Sequence, residues 1–158
     1  MAKTDLPMLD QRRIEANILK PVYEEMEARL GTEKAQEILG AAVIKDSISQ
    51  GAAYAEGLED RGLKAFRDTM AQWKASGALE MEMLKETDEE VHFNVVRCKY
   101  SEMYRELGVG HIGHLLSCNR DGTFCTGFNP DIKLDRTQTI MSGASHCDFR
   151  YRIEKDDA

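Results

Sequence analysis

Positive charge is scarce in this sequence, because its 28 acidic residues outnumber the 21 lysines and arginines and leave a formal net charge of −7. Nonspecific binding to nucleic acid or to an anionic membrane surface requires a positively charged face. We therefore expect neither partner. No apolar run is long enough to span a bilayer, and the first residues, MAKTDLPMLDQRR, lack the apolar core of a signal peptide. These absences predict a cytoplasmic protein.

Cysteine is also sparse, with four residues in a chain of 158, and no two of them form a C-x-x-C pair. Thiols stay reduced in the cytoplasm, so the even number does not indicate disulfides. The long, unequal gaps disfavour a zinc site, and we predict neither a metal nor a cofactor. The minority alternative is a metal site that draws on the cysteines and on His111, His114 and His146. Phosphate-binding glycine loops, nucleophile elbows and dinucleotide fingerprints are absent too.

The chain is long enough to bury the core of one domain. Its first half, residues 1–77, is predicted to be helical. Pro21 predicts a kink or a break in the first helix, and Gly31 followed by Thr32 predicts an end and a new start. A third helix is expected to end near Gly77. An apolar residue recurs every four positions in the first helix, at Ile14, Ile18, Val22 and Met26, with Leu19, Tyr23 and Leu30 nearby.

The second half, residues 78–158, alternates apolar and polar side chains, which predicts strands. The expected elements are a hairpin of strands 79–85 and 90–97, short helices at 101–107 and from Ile112, and a strand pair 132–141 and 147–153. The sequence therefore predicts a single α+β domain, with N-terminal helices packed on a C-terminal antiparallel sheet.

The segment GVGHIGHLLSCNRDG spaces His111, His114 and Cys118 at i, i+3 and i+7 of an expected helix. His114 would lie one turn from Cys118, where an imidazole can lower the pKa of a thiol and favour the nucleophilic thiolate. Asp121 follows in the predicted turn. The alternative is a capped helix with two exposed histidines and one buried cysteine.

Arg136 shares the apolar face of the predicted strand 132–141. A buried arginine is costly unless a carboxylate pairs with it. The partner would be Asp121, Asp148 or a substrate carboxylate, which the planar guanidinium recognises well. The alternative is an edge strand on which Arg136 is solvated.

The segment SHCDFRYRI alternates with a period of two, so Cys147 and Asp148 point to opposite faces of a strand. One of them belongs to the core, and the other can serve a site. Asp148 facing Arg136 would offset the cost of burying that arginine. Cys147 facing a pocket would join Cys98 and Cys118 in a thiol cluster.

Four segments, RCKYSEMYRELG, LLSCNRD, GFNPDIKLDRTQTIMSG and CDFRY, occur in an order that resembles the L-2-amino-thiazoline-4-carboxylic acid hydrolase family. The resemblance covers residues 90–153, and the helical half matches the family only in size and type. It implies a hydrolase that opens a small nitrogen heterocycle by C–N bond hydrolysis. In the namesake reaction, water adds to the C=N carbon of an aminothiazoline carboxylate, and the product is N-carbamoyl-L-cysteine.

Two mechanisms remain open under this resemblance. Either Cys118, activated by His114 or His146, attacks the amidine carbon, or Asp121 or Asp148 acts as a general base on water. The expected catalytic residues are therefore Cys118, Asp121, His146 and Asp148. The expected substrate-binding residues are Arg136, which would hold the substrate carboxylate, and His114, Cys147, Asn129 and Thr137.

Two interpretations come from other functional classes. A late cysteine followed by an aromatic strand also resembles small ligand-binding domains such as the 4-vinyl reductase-like domain, in which the cysteines would be ligands or sensors. Alternatively, the chain is a scaffold subunit whose long N-terminal helices form the interface. As partners we expect a small heterocyclic substrate and further copies of the chain in a homo-oligomer.

Overall fold

The helices of the computed structural model, which describes residues 5–155, occupy most of the first half of the chain. Within that range the α-helices are α1 Met8–Leu30, α2 Thr32–Ala55, α3 Leu63–Thr69, α4 Ala71–Lys74, α5 Lys99–Glu106 and α6 Asn119–Phe128. The third predicted helix is divided into α3 and α4, and the chain leaves it through Gly77, which has a φ of +68°. No helix of the described part is long and apolar enough to cross a membrane.

α1 is one continuous helix, and Pro21 lies inside it rather than at a break. The four-residue apolar repeat does not mark the buried face of this helix, because Ile14, Ile18 and Val22 are exposed, Ile18 by 63%. The core side carries Arg12, Ala16 and Tyr23 instead. Tyr23 offers more apolar surface than an isoleucine, and Ala16 lets neighbouring helices approach closely. The exposed stripe is compatible with the expected homo-oligomer, which stays a prediction.

The second half contributes a four-stranded antiparallel sheet in the order β1–β2–β4–β3. Its strands are β1 Leu79–Glu86, β2 Glu90–Cys98, β3 Ile132–Asp135 and β4 Cys147–Ile153. The predicted hairpin and the predicted strand pair are confirmed. However, β3 ends at Asp135 instead of 141, because the amides of Thr137 and Gln138 donate to the Asp148 carboxylate at 2.9 and 3.0 Å instead of continuing the ladder.

The core lies on one face of the sheet, where alternate residues of β2 and β4 are buried: Val91, Phe93, Val95, Cys147, Phe149 and Tyr151. They pack against Phe66, Phe124 and Phe128 from the helices. The alternation expected in SHCDFRYRI is confirmed, with Cys147 on the helix side. The α+β fold predicted from the sequence is thus the observed one.

α6 lies so close to α2 that two glycines have no room for a side chain. A Cβ atom on Gly51 would lie 2.1 Å from the backbone oxygen of Phe124, and one on Gly127 would lie 1.9 Å from that of Ile48. In the same interface, the Ser47 hydroxyl donates to the Arg120 carbonyl at 3.1 Å. This backbone contact fixes where the first turn of α6 meets the sheet.

Candidate functional site

A partly open cavity of about 80 Å³ lies between the helices and the covered face of the sheet. Its apolar wall comprises Met8, Trp73, Leu79, Val95, Met141 and Phe149, and its polar wall comprises Arg12, Tyr100, Ser117, Arg120, Asp121 and Arg136. A neighbouring cavity of about 40 Å³ shares five of these residues, Asp121 among them. The larger cavity has about half of the roughly 150 Å³ that holds a benzene ring in another protein, and it is partly open, so the site is of the size of one small ring at most.

Asp121 and Arg136 form an ion pair at the cavity wall, with 2.6 Å between Arg136 Nη1 and Asp121 Oδ2. Arg136 Nη2 also donates to the Cys118 carbonyl at 3.1 Å, and the guanidinium carbon lies 5.0 Å from the centroid of the Phe149 ring. These three contacts hold the guanidinium in one place. Of the partners that the sequence leaves open for Arg136, the structure selects Asp121.

The two groups of this pair respond differently to their surroundings. Burial raises the pKa of the Asp121 carboxyl group, and Arg136 opposes only part of that effect. Burial alone lowers the pKa of Arg136, but Asp121 outweighs it and raises that pKa, so Arg136 stays charged. Asp121 Oδ1 accepts no hydrogen bond from the described residues and is not fully buried, so a water or a ligand can reach it from the cavity.

A π-helical turn, His114–Cys118, runs directly into α6 and brings Ser117 and Cys118 to the cavity. Such turns are rare and frequently occur at functional sites. The Ser117 hydroxyl is held at 2.5 Å from the Tyr104 hydroxyl. The wall that leads to Asp121 is therefore built on a helix with a non-standard spacing.

The same turn overturns the face predicted for His111, His114 and Cys118. Gly110–Ile112 is a 3₁₀ turn and, after Gly113, the five residues His114–Cys118 form the π turn, so the α-helical offsets of three and seven do not apply. His111 packs against the edge of the Tyr23 ring instead. No described histidine lines the cavity, so the expected activation of Cys118 by His114 or His146 has no support in this geometry.

Three thiols line the cavity, because Cys147 joins Cys98 and Cys118 there, one of the alternatives expected from the sequence. Burial raises the pKa of all three, that of Cys98 to about 11. These groups are therefore neutral thiols near pH 7, whereas nucleophilic attack and metal binding require the thiolate. Within residues 5–155, no group of three or more His, Cys, Asp or Glu side chains is arranged to hold a metal ion.

Asp148 lies outside the cavity wall and closes the loop after β3. Its Oδ2 accepts from the Thr137 hydroxyl at 2.5 Å, and its Oδ1 accepts from the two amides that end β3. Burial alone raises the pKa of Asp148, but the hydrogen bonds from Thr137 and Gln138 together outweigh it and lower that pKa. Asp148 and Thr137 thus act as parts of a loop, and these positions do not support their expected site roles.

His146 and Asn129 also lie away from the cavity. His146 Nδ1 is 2.9 Å from the Ser145 hydroxyl, and its carbonyl accepts from the Gln138 side chain at 2.9 Å. The Asn129 amide donates to the Arg61 carbonyl at 2.8 Å and so ties two loops together. Neither position supports the catalytic or substrate-binding role expected from the sequence.

Two charged residues of the cavity wall were not expected from the sequence, namely Arg12 of α1 and Arg120 of α6. Charged residues on a helix are usually solvated, so neither position stands out by itself. The signal that points to Arg12 is its spacing, since Ala16 and Tyr23 follow at i+4 and i+11 and lie on the same helix face.

A family model for L-2-amino-thiazoline-4-carboxylic acid hydrolase matches residues 11–151, which is most of the chain. The chain belongs to this family. The resemblance expected in residues 90–153 is confirmed, and the family match extends through the helical half that contains Arg12. Membership supports a hydrolase in general terms and leaves the substrate open.

The fold is also similar to a solved structure, the phenol-responsive sensory domain of the transcription activator PoxR with phenol. The TM-score is 0.55 at 10% sequence identity, and the alignment covers 89% of this chain and 76% of that chain. At this identity the likeness shows a shared fold alone. No curated protein matches the chain.

Proposed function

We propose that this family member opens a small nitrogen heterocycle by hydrolysis and that Asp121 is the general base. The observation that carries the proposal is a carboxylate with an accessible oxygen, Oδ1, on the wall of a cavity that suits one small ring. Burial raises the pKa of this group, which makes its carboxylate a stronger base towards an attacking water. Family membership supports the reaction class, and the geometry supports the choice of residue.

In the proposed reaction, water attacks the amidine carbon of the ring while Asp121 accepts one proton from it. For an aminothiazoline, a C–O bond forms and the ring C–S bond breaks, because both nitrogens remain on that carbon in N-carbamoyl-cysteine. Asp121 then passes its proton to the departing sulfur, and the second proton of the water moves to the ring nitrogen as the carbonyl forms. In a ring with nitrogen in place of sulfur, the same steps break the C–N bond expected from the sequence.

Arg136 serves this mechanism by holding Asp121 Oδ2, which leaves Oδ1 directed to the water. Its positive charge also lowers the pKa of Asp121 against the effect of burial, which favours the carboxylate form. Covalent attack by Cys118 is disfavoured, because burial raises the pKa of that thiol and no described histidine shares the cavity. The thiols then shape and desolvate the site.

The test is turnover of L-2-amino-thiazoline-4-carboxylate by the purified protein with and without EDTA, with N-carbamoyl-cysteine followed by mass spectrometry. We expect turnover that is insensitive to EDTA and falls about a hundredfold or more in Asp121→Asn. Asp131→Asn, at an exposed carboxylate beyond α6, is the matched control and should keep full activity. Normal turnover in Asp121→Asn would remove this residue from the mechanism. Inertness towards this compound and towards a panel of cyclic amidines, imides and lactams would refute hydrolysis.

The fold shared with a phenol-responsive sensory domain favours a second candidate, a module that binds a small ring without converting it. The apolar wall with Trp73 and Phe149 and the neutral thiols fit such a role. Titration calorimetry with phenol, combined with recovery of the compounds by mass spectrometry, separates the two candidates. Binding of phenol with no turnover of any ring compound would favour the binding module.

A further inference from the structure

Arg12 of α1 is a buried cation on the cavity wall, with only 5% of its surface exposed. Its Nη1 donates to both carboxylate oxygens of Glu15, at 2.9 and 3.0 Å. Its Nε and Nη2 make no hydrogen bond to any residue from 5 to 155. Every fully buried side-chain nitrogen and oxygen in that range has a partner, so these two nitrogens border open space. The open space that Arg12 lines is the cavity.

The free nitrogens of Arg12 lie on one edge of the guanidinium plane. That edge presents two parallel N–H donors, which is the geometry that binds a carboxylate with two hydrogen bonds. Glu15 holds the other side of the group through Nη1 and so limits its rotation. The fork is therefore oriented before any ligand arrives.

The charges around the cavity also favour an anion. Its wall carries one carboxylate, Asp121, and three guanidinium groups: Arg12, Arg120 and Arg136. Asp121 pairs with Arg136. Arg12 pairs with Glu15, and Arg120 pairs with Asp46 and Glu15. The Glu15 and Asp46 side chains are 39% and 46% exposed. Water screens such half-exposed carboxylates, so they offset buried cations incompletely. The cavity wall thus carries more cationic than anionic side chains in a chain of net charge −7.

We infer that Arg12 determines specificity by binding a carboxylate on the ligand ring through its free edge. This inference rests on the proposed function, since it concerns the same cavity, and it moves the carboxylate contact from Arg136 to Arg12. Arg136 already uses both terminal nitrogens, on Asp121 and on the Cys118 carbonyl. A ring held between Arg12 and the apolar wall has its reactive carbon within the same small cavity as Asp121.

The test is titration calorimetry with L-2-amino-thiazoline-4-carboxylate and with its 4-carboxamide, a compound of the same shape that lacks the carboxylate charge. We expect the wild type to bind the carboxylate at least about tenfold more tightly. In Arg12→Gln this preference disappears, while the affinity for the carboxamide changes less than about twofold. Arg13→Gln is the matched control, because Arg13 is the next residue of α1 and pairs with Glu106 at the surface. It should keep the full preference.

A second variant, Arg12→Lys, keeps the charge and removes the fork, so the preference should shrink about tenfold even if the glutamine variant does not fold. Thermal unfolding of each variant reports whether it folds. An unchanged preference in both variants would overturn the inference and leave the hydrolysis intact. A preference that depends on Arg12 in a protein without turnover would overturn the hydrolysis alone. A wild type that binds the two compounds equally, or binds neither, would overturn the inference.

Discussion

Arg136 Nη1 lies 2.6 Å from Asp121 Oδ2 and so joins the first turn of α6 to the loop that follows β3. The pair sits where the helical layer meets the sheet, and both partners line the cavity. The charge state of the proposed base therefore depends on a residue of another element. This dependence can be measured.

Arg136→Met should shift the acid limb of the pH profile of kcat/KM to higher pH. Removing the guanidinium removes the charge that opposes burial, so the pKa of Asp121 rises further above its usual range. The base must be ionised, so activity is lost as the pH falls through this pKa. Arg152→Met, at a half-exposed arginine of β4, is the control and should leave the limb in place. A limb that does not move in Arg136→Met would contradict the proposed coupling.

The cavity thiols should resist alkylation at pH 7.5. Burial raises the pKa of Cys98 to about 11 and also raises that of Cys118, so few thiolates exist at that pH. The measurement is the rate of iodoacetamide labelling at each cysteine by peptide mass spectrometry, compared with the urea-unfolded chain. Cys118→Ser should also keep turnover within about threefold. Fast labelling of Cys118 at pH 7.5, together with loss of turnover in Cys118→Ser, would revive the covalent mechanism.

Gly51→Ala should lower the free energy of unfolding by about 1–3 kcal/mol, because the new Cβ would lie 2.1 Å from the Phe124 carbonyl oxygen. Gly40→Ala in the same helix is the matched control, since its Cβ would meet only side-chain ends, those of Leu115 at 3.4 Å and Asn119 at 3.8 Å. Alanine favours a helix over glycine by about 1 kcal/mol, so this control should be neutral or stabilising. Urea denaturation measures both. Equal effects would mean that the α2–α6 contact tolerates a side chain.

Asp148→Ala should destabilise the protein at pH 7 by about 1–3 kcal/mol, because three hydrogen bonds to the carboxylate are lost. The pKa of Asp148 is lower in the folded chain than its ordinary value of 3.8. Its contribution is therefore complete above the unfolded pKa and is lost as the pH falls through the folded one. Urea denaturation should show that the variant differs from wild type in its free energy of unfolding by less at pH 3 than at pH 7. Asp131→Ala is the control. A difference that is the same at both pH values would exclude the charge as its source.

Ile18→Glu should reduce the mass of the expected homo-oligomer in light scattering. Ile18 lies at the centre of the exposed apolar stripe of α1, and a charge there is costly to bury between two copies. Asn17→Glu, at the preceding exposed position, is the matched control and should keep the wild-type mass. An unchanged mass in Ile18→Glu would exclude this stripe as the interface.

The sheet could be predicted from the sequence because a strand repeats every two residues and one face must be buried. Phe149 and Tyr151 obey that rule, and so does Cys147. The end of β3 could not be predicted, since it depends on the Asp148 side chain accepting hydrogen bonds from the amides of Thr137 and Gln138 across the intervening loop. Local pattern determines pairing, whereas competition for backbone donors decides where pairing stops.

The site was harder to predict for two physical reasons. Arg12 is buried by the neighbouring helices rather than by its own helix pattern, and the more obvious apolar stripe with Ile18 faces outwards. The spacing of His114 and Cys118 predicts a shared face only if the segment is an α-helix, and the π turn changes which residues share a face. The Cys118–Asp121 segment does reach the cavity, where both residues line the wall, because Asp121 lies just beyond the turn, in a regular helix.

The π turn makes the cavity depend on chain length as well as on residue identity. A π turn holds about one residue more than an α-helical turn, so deleting one residue from His114–Cys118 would restore regular winding and change which side chains of this segment face the cavity. A relative could keep Asp121 and Arg136 and still have a different cavity wall through one deletion. When relatives are compared, the number of residues between Gly113 and Asp121 therefore says as much about shared chemistry as their identities do.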